Sequence, residues 1–387
     1  MRVGIVGLGY RLGYLARIFS VTLGDDFQVV AHVDPEPAGL SYTNEFGVSV
    51  GKAYPDLPAM LKSENLDLLM VGSPNHMHLE HIRIGLDHGM KIFTEKPVVT
   101  SVGETMELAS LIADHGSDNV MVGLVLRYAP LYVDLRKAQA EGLLGDIVSI
   151  EACEHIPPYH GAFFMRDWRR YERYSGSFML EKCCHDLDLY NGVMGCRPKY
   201  VASFGGRKTF VPKNDPRRDG INDMEVFHRK PSGWMGTDKV FDSDGDIIDF
   251  QTAMVEYENG SALSFHTNLS VPDDFRRFAV MGAKGQAEGD LVRNFFKVTD
   301  ARTSQRLIDK VYTGSDLSVH YGADEQMAAD IAAHLTKGAP LPVSVVDALE
   351  AGLLALTMDE ARRTRSVVDM SPLWERFDTA LGRAKAA

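Results

Sequence analysis

The sequence predicts an α/β protein in which a doubly wound parallel sheet is followed by an α+β domain with a largely antiparallel sheet. Up to about residue 126, short apolar runs of strand length alternate with helical stretches, as in a parallel sheet with helices on both faces. Further along, alternating runs flank Asn259-Gly260, which is a strong signal for an antiparallel hairpin. At 387 residues the chain exceeds the size at which a single core stops growing. We therefore expect two domains.

The N-terminal elements are predicted from apolar runs of the appropriate length. The predicted strands lie at 3–6, 29–33, 66–71, 91–93 and 120–126, and helical stretches include 79–86 and 105–113. We place the first domain at residues 1–126 and the second domain at residues 127–387.

The second domain opens with a helical stretch after Pro130 and then changes to strands and late helices. The predicted strands are 251–257, 261–267, 278–281 and 295–298, with a turn at 282–285 between the last two, and the late helices lie near 324–336 and 345–363. Residues 207–248 have little periodicity and many Lys, Arg, Asp, Pro and Gly residues. We interpret them as a long insertion between strands that could serve as a lid.

Composition and charge exclude several classes of partner. The formal net charge is -12 and the arginine pairs are scattered, so no basic stripe is available to nucleic acid. The apolar run at the N-terminus is too short for a signal peptide or a membrane span, which favours a cytoplasmic enzyme with no membrane partner. The four cysteines lack CxxC spacing and are expected to be reduced.

A glycine-rich turn at Gly7-Leu8-Gly9-Tyr10-Arg11 follows the first strand and opens a helix. Such glycines allow the backbone to approach a pyrophosphate at the helix N-terminus. The spacing to Gly13 is one residue longer than in the GxGxxG fingerprint. Either the helix begins one residue later, or Leu12 takes the packing position of the third glycine.

Asp34 ends the second strand at the distance where a carboxylate accepts hydrogen bonds from the ribose hydroxyls of an adenosine. This favours NAD over NADP, although Arg11 is close enough in sequence to keep NADP open. A turn-forming Asp34-Pro35 is an equally good interpretation.

Thr94-Glu95-Lys96-Pro97 stands at the carboxyl end of a strand, the edge where open α/β sheets bind ligands. The Lys96 ammonium can donate to a substrate hydroxyl and favour the alkoxide that forms during hydride transfer. A surface Glu-Lys pair is the alternative.

Ser73-Pro74-Asn75 follows the fourth strand and could line the nicotinamide ribose, with His78 and Arg127 as further cofactor contacts. Asn75 could equally cap a helix. His76, His78 and His81 lack a completing ligand, so surface histidines are expected rather than a metal site.

Glu181, His185 and Asp188 fall on one face of a helix, at i, i+4 and i+7. His185 could take the proton from a substrate hydroxyl while Glu181 fixes its tautomer or binds a second hydroxyl. A solvated face with ion pairs is the alternative. We expect Cys183-Cys184 to be buried small residues and not zinc ligands.

An aromatic and polar stretch before this helix is suited to a sugar ring, through stacking and hydrogen bonds. Its substrate candidates are Tyr159, Arg166 and Trp168. Interdomain packing is an equally good role for each.

Taken together, the glycine turn, Ser73-Pro74-Asn75, Glu95-Lys96-Pro97 and the stretch 176–188 resemble the Gfo/Idh/MocA family of NAD(P)-dependent oxidoreductases. The resemblance implies an N-terminal Rossmann domain, an open and mostly antiparallel C-terminal sheet, and homodimers or homotetramers formed through that sheet. It also implies a cis Lys96-Pro97 bond. Two departures are the extra residue in the glycine turn and the Glu181-Lys182-Cys183 segment, which stands where aspartate-x-glycine is commoner.

The resemblance further implies that Lys96 and His185 are catalytic, that Glu181 stands in place of a common aspartate, and that Glu95 and Asn75 contact the cofactor. The predicted function is NAD-dependent oxidation of a secondary hydroxyl of a sugar or cyclic polyol, or reduction of the ketone. One alternative is a glycoside-cleaving enzyme that retains NAD and uses transient oxidation. Another is a catalytically silent NAD-binding regulator, which the presence of both Lys96 and His185 disfavours.

Overall fold

The computed structural model describes residues 1–313, 320 and 322–383, and these residues form two compact units. The first unit contains residues 1–130 with the described parts of 315–352 and 373–387, and the second contains 131–314 and 353–372. The sequence predicts one boundary after residue 126, whereas the chain returns to the first unit near its C-terminus. Within the described ranges, the helices lack the combination of length and apolarity that crossing a membrane requires.

The first unit is built on a six-stranded parallel sheet. Its order is β3-β2-β1-β4-β5-β6, the doubly wound order with the reversal between β1 and β4. The strands are β1 Arg2–Val6, β2 Gln28–Val33, β3 Lys52–Ala53, β4 Leu68–Val71, β5 Lys91–Thr94 and β6 Val120–Val122. The predicted strands are confirmed, but the last one ends at Val122 and is followed by a 3-10 turn, Val125–Tyr128.

Five helices follow these strands, and side-chain caps begin two of them, at Asp56 and at Ser101. They are α1 Tyr10–Leu23, α2 Gly39–Glu45, α3 Leu57–Ser63, α4 His78–Asp87 and α5 Val102–His115. The side chain of Ser101 accepts from the Glu104 N–H and so caps α5. The buried stripe of α5 includes Leu108 and Ile112, at i and i+4.

The second unit is built on a nine-stranded sheet in the order β14-β13-β12-β11-β7-β10-β9-β8-β15. Among the strand pairs of this sheet in the described residues, β7 and β10 form the parallel one, so the sheet is mostly antiparallel, as predicted. The strands are β7 Ile147–His155, β8 Pro198–Gly206, β9 Phe250–Tyr257, β10 Ala262–Asn268, β11 Arg277–Gly282, β12 Gly285–Asp290, β13 Phe295–Asp300, β14 Arg306–Val311 and β15 Val368–Asp369. The predicted Asn-Gly hairpin joins β9 to β10, with Gly260 at φ 82°.

The later helices of the chain are divided between the two units, and Phe178–Met194 packs against one face of the nine-stranded sheet. The remaining helices are α6 Pro130–Ala140, α7 Pro158–Arg166, α8 Glu172–Ser175, α9 Phe178–Met194, α10 Glu225–His228, α11 Ala323–Lys337, α12 Val345–Thr364 and α13 Ser371–Ala380. Tyr190 of α9 packs against Phe265 of β10 and Phe278 of β11, and all three side chains are buried. The inward residues of the strands alternate with outward ones, which is the period of a half-buried sheet.

Residues 207–248 form the predicted insertion, and between β8 and β9 the structure has only 3-10 turns and the short α10. Its base is closed because Asp249 accepts from the N–H groups of Lys208, Thr209 and Phe210 at 2.7–2.8 Å. Arg207 also donates to the carbonyls of Gly245 and Ile247. The insertion is therefore anchored at both ends.

Candidate active site

The glycine turn after β1 has the geometry of a pyrophosphate-binding loop. Gly7 has φ 83°, and a Cβ on it would lie 2.1 Å from the backbone nitrogen of Ser73. Gly9 immediately precedes α1, and a Cβ there would meet nothing within 4 Å. The helix N-terminus thus opens onto free space, with its backbone N–H groups available to an anion.

The extra residue in the turn is accommodated because the side chain of Leu12 packs in the place of the third glycine. Helix α1 begins at Tyr10, directly after Gly9, so the helix does not start late. Leu12 is buried, and a Cβ on Gly72 would lie 2.4 Å from its Cγ. Leu12 therefore takes the packing position, while Gly13 lets α1 approach the backbone of Gly39 closely.

Asp34 follows β2 beside this turn. Its Oδ1 accepts from the Glu36 N–H at 2.8 Å. Burial raises the pKa of Asp34, and the N–H groups of Glu36 and Leu8 partly oppose that rise. Leu8 is buried, its backbone N–H donates to Asp34 and its carbonyl accepts from the Gly39 N–H, whereas Tyr10 is exposed at the start of α1.

Arg11 is held by two carboxylates. Its Nε donates to Glu95 Oε1 at 2.9 Å and its Nη2 donates to Asp324 Oδ1 at 2.8 Å. Burial raises the pKa of Asp324, but Arg11 and His320 outweigh burial and bring it below its usual range. The Arg11 charge is thus balanced within the unit, which weakens the case for a 2'-phosphate partner. Sequence reasoning missed Asp324, which lies 313 residues after Arg11.

Glu95 and Lys96 stand at the end of β5, as predicted. Glu95 is buried against Gly123, where an added Cβ would lie 3.0 Å from its Oε1, and its Oε2 accepts from the Lys96 N–H at 3.2 Å. Lys96 is half-buried, and the Lys96-Pro97 peptide bond is cis. This arrangement contradicts a loose surface Glu-Lys pair.

His78 connects this turn to the loop after β4. Its Nδ1 lies 2.9 Å from the Pro97 carbonyl oxygen and its Nε2 lies 2.8 Å from the Ser73 carbonyl oxygen. His78 is buried, so the expected surface histidine is wrong here. The imidazole fills the space between two backbone segments and positions them.

The loop after β4 is ordered by contacts of its own. Ser73 Oγ lies 2.9 Å from His81 Nδ1, and burial is the main cause that lowers the pKa of His81 to about 4. Asn75 is buried in a 3-10 turn, 75–77, whose N-cap is Pro74, so Asn75 is not itself the cap. Arg127, on the 3-10 turn after β6, donates to the Pro342 carbonyl.

In the second unit, the predicted face of α9 is present and buried. Glu181, His185 and Asp188 are each at most 5% exposed. Ser177 caps the helix by accepting from the Leu180 N–H at 3.1 Å. The solvated face that was the alternative is therefore wrong.

Arg169 fixes Glu181, and sequence reasoning missed it. Arg169 Nε donates to Glu181 Oε1 at 2.9 Å, and its Nη1 donates to Asp167 Oδ2 at 2.7 Å. Burial lowers the pKa of Arg169, but Asp167 and Glu181 outweigh it and raise that pKa. The guanidinium also lies over the rings of Trp168 and Phe163. No sequence pattern pairs residues 169 and 181, since the contact comes from folding.

Lys182 belongs to a separate buried ion network. Its Nζ lies 2.9 Å from Glu154 Oε1, and Arg276 lies 2.6 Å from the other oxygen of Glu154. Arg276 also donates twice to Asp186, at 2.7 and 2.6 Å. Burial raises the pKa of Asp186 despite this partner. Cys183 is buried, as predicted.

Arg166 and Trp168 anchor the insertion. The Arg166 guanidinium donates to Ser232 Oγ at 3.2 Å and to the Lys230 carbonyl. The backbone N–H of Trp168 donates to the Trp234 carbonyl at 3.0 Å. The buried guanidinium of Arg166 is engaged by the insertion rather than offered to a sugar. The ring of Tyr159 is half-buried beside Arg229 and Lys230.

Strand pairing also assembles Cys153, His155 and His266, whose ligand atoms lie within 4.8 Å of one another. Sequence reasoning predicted no metal site and did not join these residues, because His266 pairs with Cys153 only through the β7–β10 register. They alternate along β7 with Glu154, which contacts Lys182 of α9. The group therefore lies on the face of the sheet away from α9 and takes no part in the candidate active site.

Residues 1–124 match the family described as "Oxidoreductase family, NAD-binding Rossmann fold", and residues 136–370 match its C-terminal alpha/beta domain. YteT of Bacillus subtilis is 24% identical over 265 residues, which is 60% of this chain and 62% of that protein. A 2,7-anhydro-N-acetylneuraminate hydratase of Mediterraneibacter gnavus is 27% identical over 207 residues, 52% of this chain and 51% of that protein. An inositol 2-dehydrogenase/D-chiro-inositol 3-dehydrogenase of Halalkalibacterium halodurans is 27% identical over 331 residues, 85% of this chain and 88% of that protein.

The chain spans roughly half to three fifths of the length of the first curated relatives that it matches. Among solved structures, a levoglucosan dehydrogenase in complex with NADH and levoglucosan superposes with a TM-score of 0.76 at 17% identity, over 96% of this chain and 99% of that one. A myo-inositol 2-dehydrogenase from Lactobacillus plantarum gives a TM-score of 0.72 at 20% identity, over 95% of this chain and 99% of that one. At these identities the likeness establishes the fold.

Proposed function

Because the chain belongs to this oxidoreductase family with an NAD-binding Rossmann domain, we propose that it oxidises a secondary hydroxyl of a sugar or cyclic polyol with NAD, or reduces the corresponding ketone. The observation that carries the proposal is Lys96 at the end of β5, whose backbone N–H donates to the buried Glu95, beside a turn suited to a dinucleotide. NAD supplies the hydride acceptor when it is bound.

In this proposal two side chains handle the oxygen and the proton. The Lys96 ammonium donates a hydrogen bond to the reacting oxygen and stabilises negative charge on it. His185 accepts the hydroxyl proton as the carbon loses hydride, and it returns the proton in the reverse direction. Glu181, oriented by Arg169, binds a neighbouring hydroxyl or fixes the ring of His185. Glu95 holds the backbone of Lys96 and thereby its direction.

The cofactor side is supported by groups that this chain presents. The N-terminus of α1 offers backbone N–H groups to the pyrophosphate, and Asp34 can accept from two ribose hydroxyls. A 2'-phosphate at that position would meet the Asp34 carboxylate, while Arg11 is engaged elsewhere. We therefore propose NAD as the preferred cofactor over NADP.

The test is a reduction assay with NAD and NADP across inositols, aldoses, hexuronates and glycosides. Lys96→Met keeps the stem of the side chain but removes the charge, and we expect it to lower kcat/KM by at least about 10²-fold, the usual scale for an electrostatic donor. Lys62→Met, on the exposed face of α3, is the matched control. Equal turnover by the two variants would exclude the mechanism.

A second function is favoured by one observation from the comparisons. Two of the curated relatives, from Mediterraneibacter gnavus and Escherichia coli, are named 2,7-anhydro-N-acetylneuraminate hydratases. In this alternative the chain retains NAD and uses transient oxidation to labilise a glycosidic or anhydro bond. Turnover of a glycoside without added cofactor and without net NADH would favour it over a simple dehydrogenase.

We also propose that the protein assembles into a homodimer or homotetramer through the outer face of the nine-stranded sheet. Phe204 and Met254 are 67% and 63% exposed there, on the paired strands β8 and β9. Exposed large apolar side chains on a sheet face favour association with a second copy.

A further inference from the structure

Lys230 lies in the insertion and points toward the aromatic residues of α7. Its Nζ is 5.7 Å from the centroid of the Tyr159 ring and 5.6 Å from that of Phe163. Its backbone carbonyl accepts from Arg166, so the insertion is fixed at this residue. The backbone of Lys230 is therefore anchored, and the residue is half-buried rather than fully exposed to solvent.

Phe163 places Lys230 close to the catalytic candidates of α9. The Arg169 guanidinium lies 4.9 Å from the same Phe163 ring and donates to Glu181. Glu181 is one helical turn before His185. The insertion thus brings an ammonium group to the aromatic wall beside the proposed substrate region.

The charge of Lys230 lacks the carboxylate partners that its neighbours have. Lys182 is paired with Glu154, and Arg169 is paired with Asp167 and Glu181. Within the part of the chain that the structure describes, the salt bridges do not include Lys230. Burial, followed by the charges of Lys182 and Arg169, lowers its pKa to about 8. The attraction of an anion beside Lys230 would favour the charged ammonium and offset the effects of burial and of the two neighbouring cations.

We propose that Lys230 binds a carboxylate of the substrate, so that the preferred substrates are sugar acids rather than neutral polyols. The inference rests on the proposed function, because it names the substrate class of the same site. A carboxylate suits a single ammonium better than a phosphate dianion does, because phosphate sites usually add an arginine fork or backbone N–H groups. Trp168 and Arg169 already fill the neighbouring space with a stacked pair.

The test compares pairs of substrates that differ only at C6, glucuronate with glucose and galacturonate with galactose, under saturating NAD. We expect the parent protein to prefer each acid over its neutral partner. Lys230→Met should raise KM for the acids by about 10- to 100-fold, the scale of a charged hydrogen bond, and so collapse the acid-to-neutral ratio. Lys230→Arg should restore part of the preference. Lys213→Met, an exposed lysine of the same insertion, should keep the parent ratio.

A pH series adds a second readout. The charged groups that act on Lys230 are Lys182 and Arg169, with Arg229 over the same Tyr159 ring. Because burial lowers the pKa of Lys230 to about 8, we expect KM for the acids to rise above that pH in the parent and to stay flat in Lys230→Met. No preference for acids in the parent, or equal losses on acid and neutral substrates in Lys230→Met, would overturn the inference.

Calorimetric titration of the NAD-loaded protein with glucuronate separates this inference from the proposed function. Binding that depends on Lys230 without turnover of any substrate would support the anion site and refute the dehydrogenase. Turnover of neutral polyols with no binding of glucuronate would support the dehydrogenase and refute the anion site.

Discussion

Replacing Arg276 with methionine tests the buried ion network behind the His185 helix. Arg276 makes two hydrogen bonds to Asp186 and lies 2.6 Å from Glu154, and all three side chains are at most 5% exposed. Methionine keeps most of the stem and removes the charge. The variant leaves two buried carboxylates that share Lys182 as their remaining cation in this network.

The expected cost follows from this burial. Removing one partner from a buried ion pair destabilises a protein by about 3–5 kcal/mol, because an uncompensated charge remains. In a unit of this size that corresponds to a drop in Tm of roughly 10 °C. Arg293→Met is the control, since its pair with Asp273 is exposed, with side chains 48% and 89% accessible, and should cost less than about 1 kcal/mol.

The pH dependence of the Arg276→Met deficit has a definite sign. Without the guanidinium, the pKa values of Asp186 and Glu154 in the folded protein should rise above their unfolded values of about 4. The folded state then binds more protons than the unfolded state, so stability falls as pH increases. The deficit relative to the parent should therefore be smaller at pH 5.5 than at pH 8.

Urea unfolding of the second unit, followed by tryptophan fluorescence at both pH values, measures this deficit. Arg276→Met combined with Asp186→Asn should recover part of the loss, because the double variant buries one charge fewer. If Arg276→Met costs no more than Arg293→Met, or if its deficit is the same at the two pH values, the network does not have the energetic role assigned to it.

Three further changes test other parts of the molecule. Gly7→Ala, at φ 83° and without room for a Cβ, should weaken NADH binding by at least about tenfold, measured by fluorescence titration. Arg169→Met should misplace Glu181 and lower kcat by about 10²-fold with a smaller change in KM, and Arg169→Lys should recover part of it. Phe204→Glu with Met254→Glu should convert the proposed oligomer to monomers in light scattering while the circular dichroism spectrum stays that of the folded chain, since both side chains are exposed in the single chain.

The sequence predicts the elements whose signals are local. The apolar runs of the parallel sheet and the Asn259-Gly260 hairpin depend on neighbours within a few residues, and the structure confirms both. Strand β12 was missed because its sequence, Gly285–Asp290, is polar and rich in glycine, and pairing with β11 and β13 makes it a strand. The return of α11 to the first unit was missed for the same reason, since it depends on non-local contacts such as Arg11 with Asp324.

In the candidate site, too, the sequence predicts the features that depend on near neighbours in the chain and misses those that depend on tertiary contacts. Helical spacing correctly predicts that Glu181, His185 and Asp188 share a face, because three or four residues make one turn. The same spacing does not reveal that this face is buried, nor that Arg169 comes from a preceding turn to meet Glu181. Those features depend on the packing of the segment 158–170 against the helix. The helical spacing alone therefore predicts neither the burial of this face nor the ion pair between Arg169 and Glu181.

The neighbouring Glu181 and Lys182, whose roles the sequence left open, are separated by the geometry of the helix. Successive residues on an α-helix point about 100° apart, so the two side chains cannot serve one site equally. Lys182 turns toward β7 and neutralises Glu154, while Glu181 turns toward Arg169. Glu181, which the resemblance sets in place of a common aspartate, is thus matched by an arginine that holds its carboxylate in place. Lys182 supports the fold through its pair with Glu154, and this leaves Lys230 as the lysine in this region whose charge is not balanced by a carboxylate within the described residues.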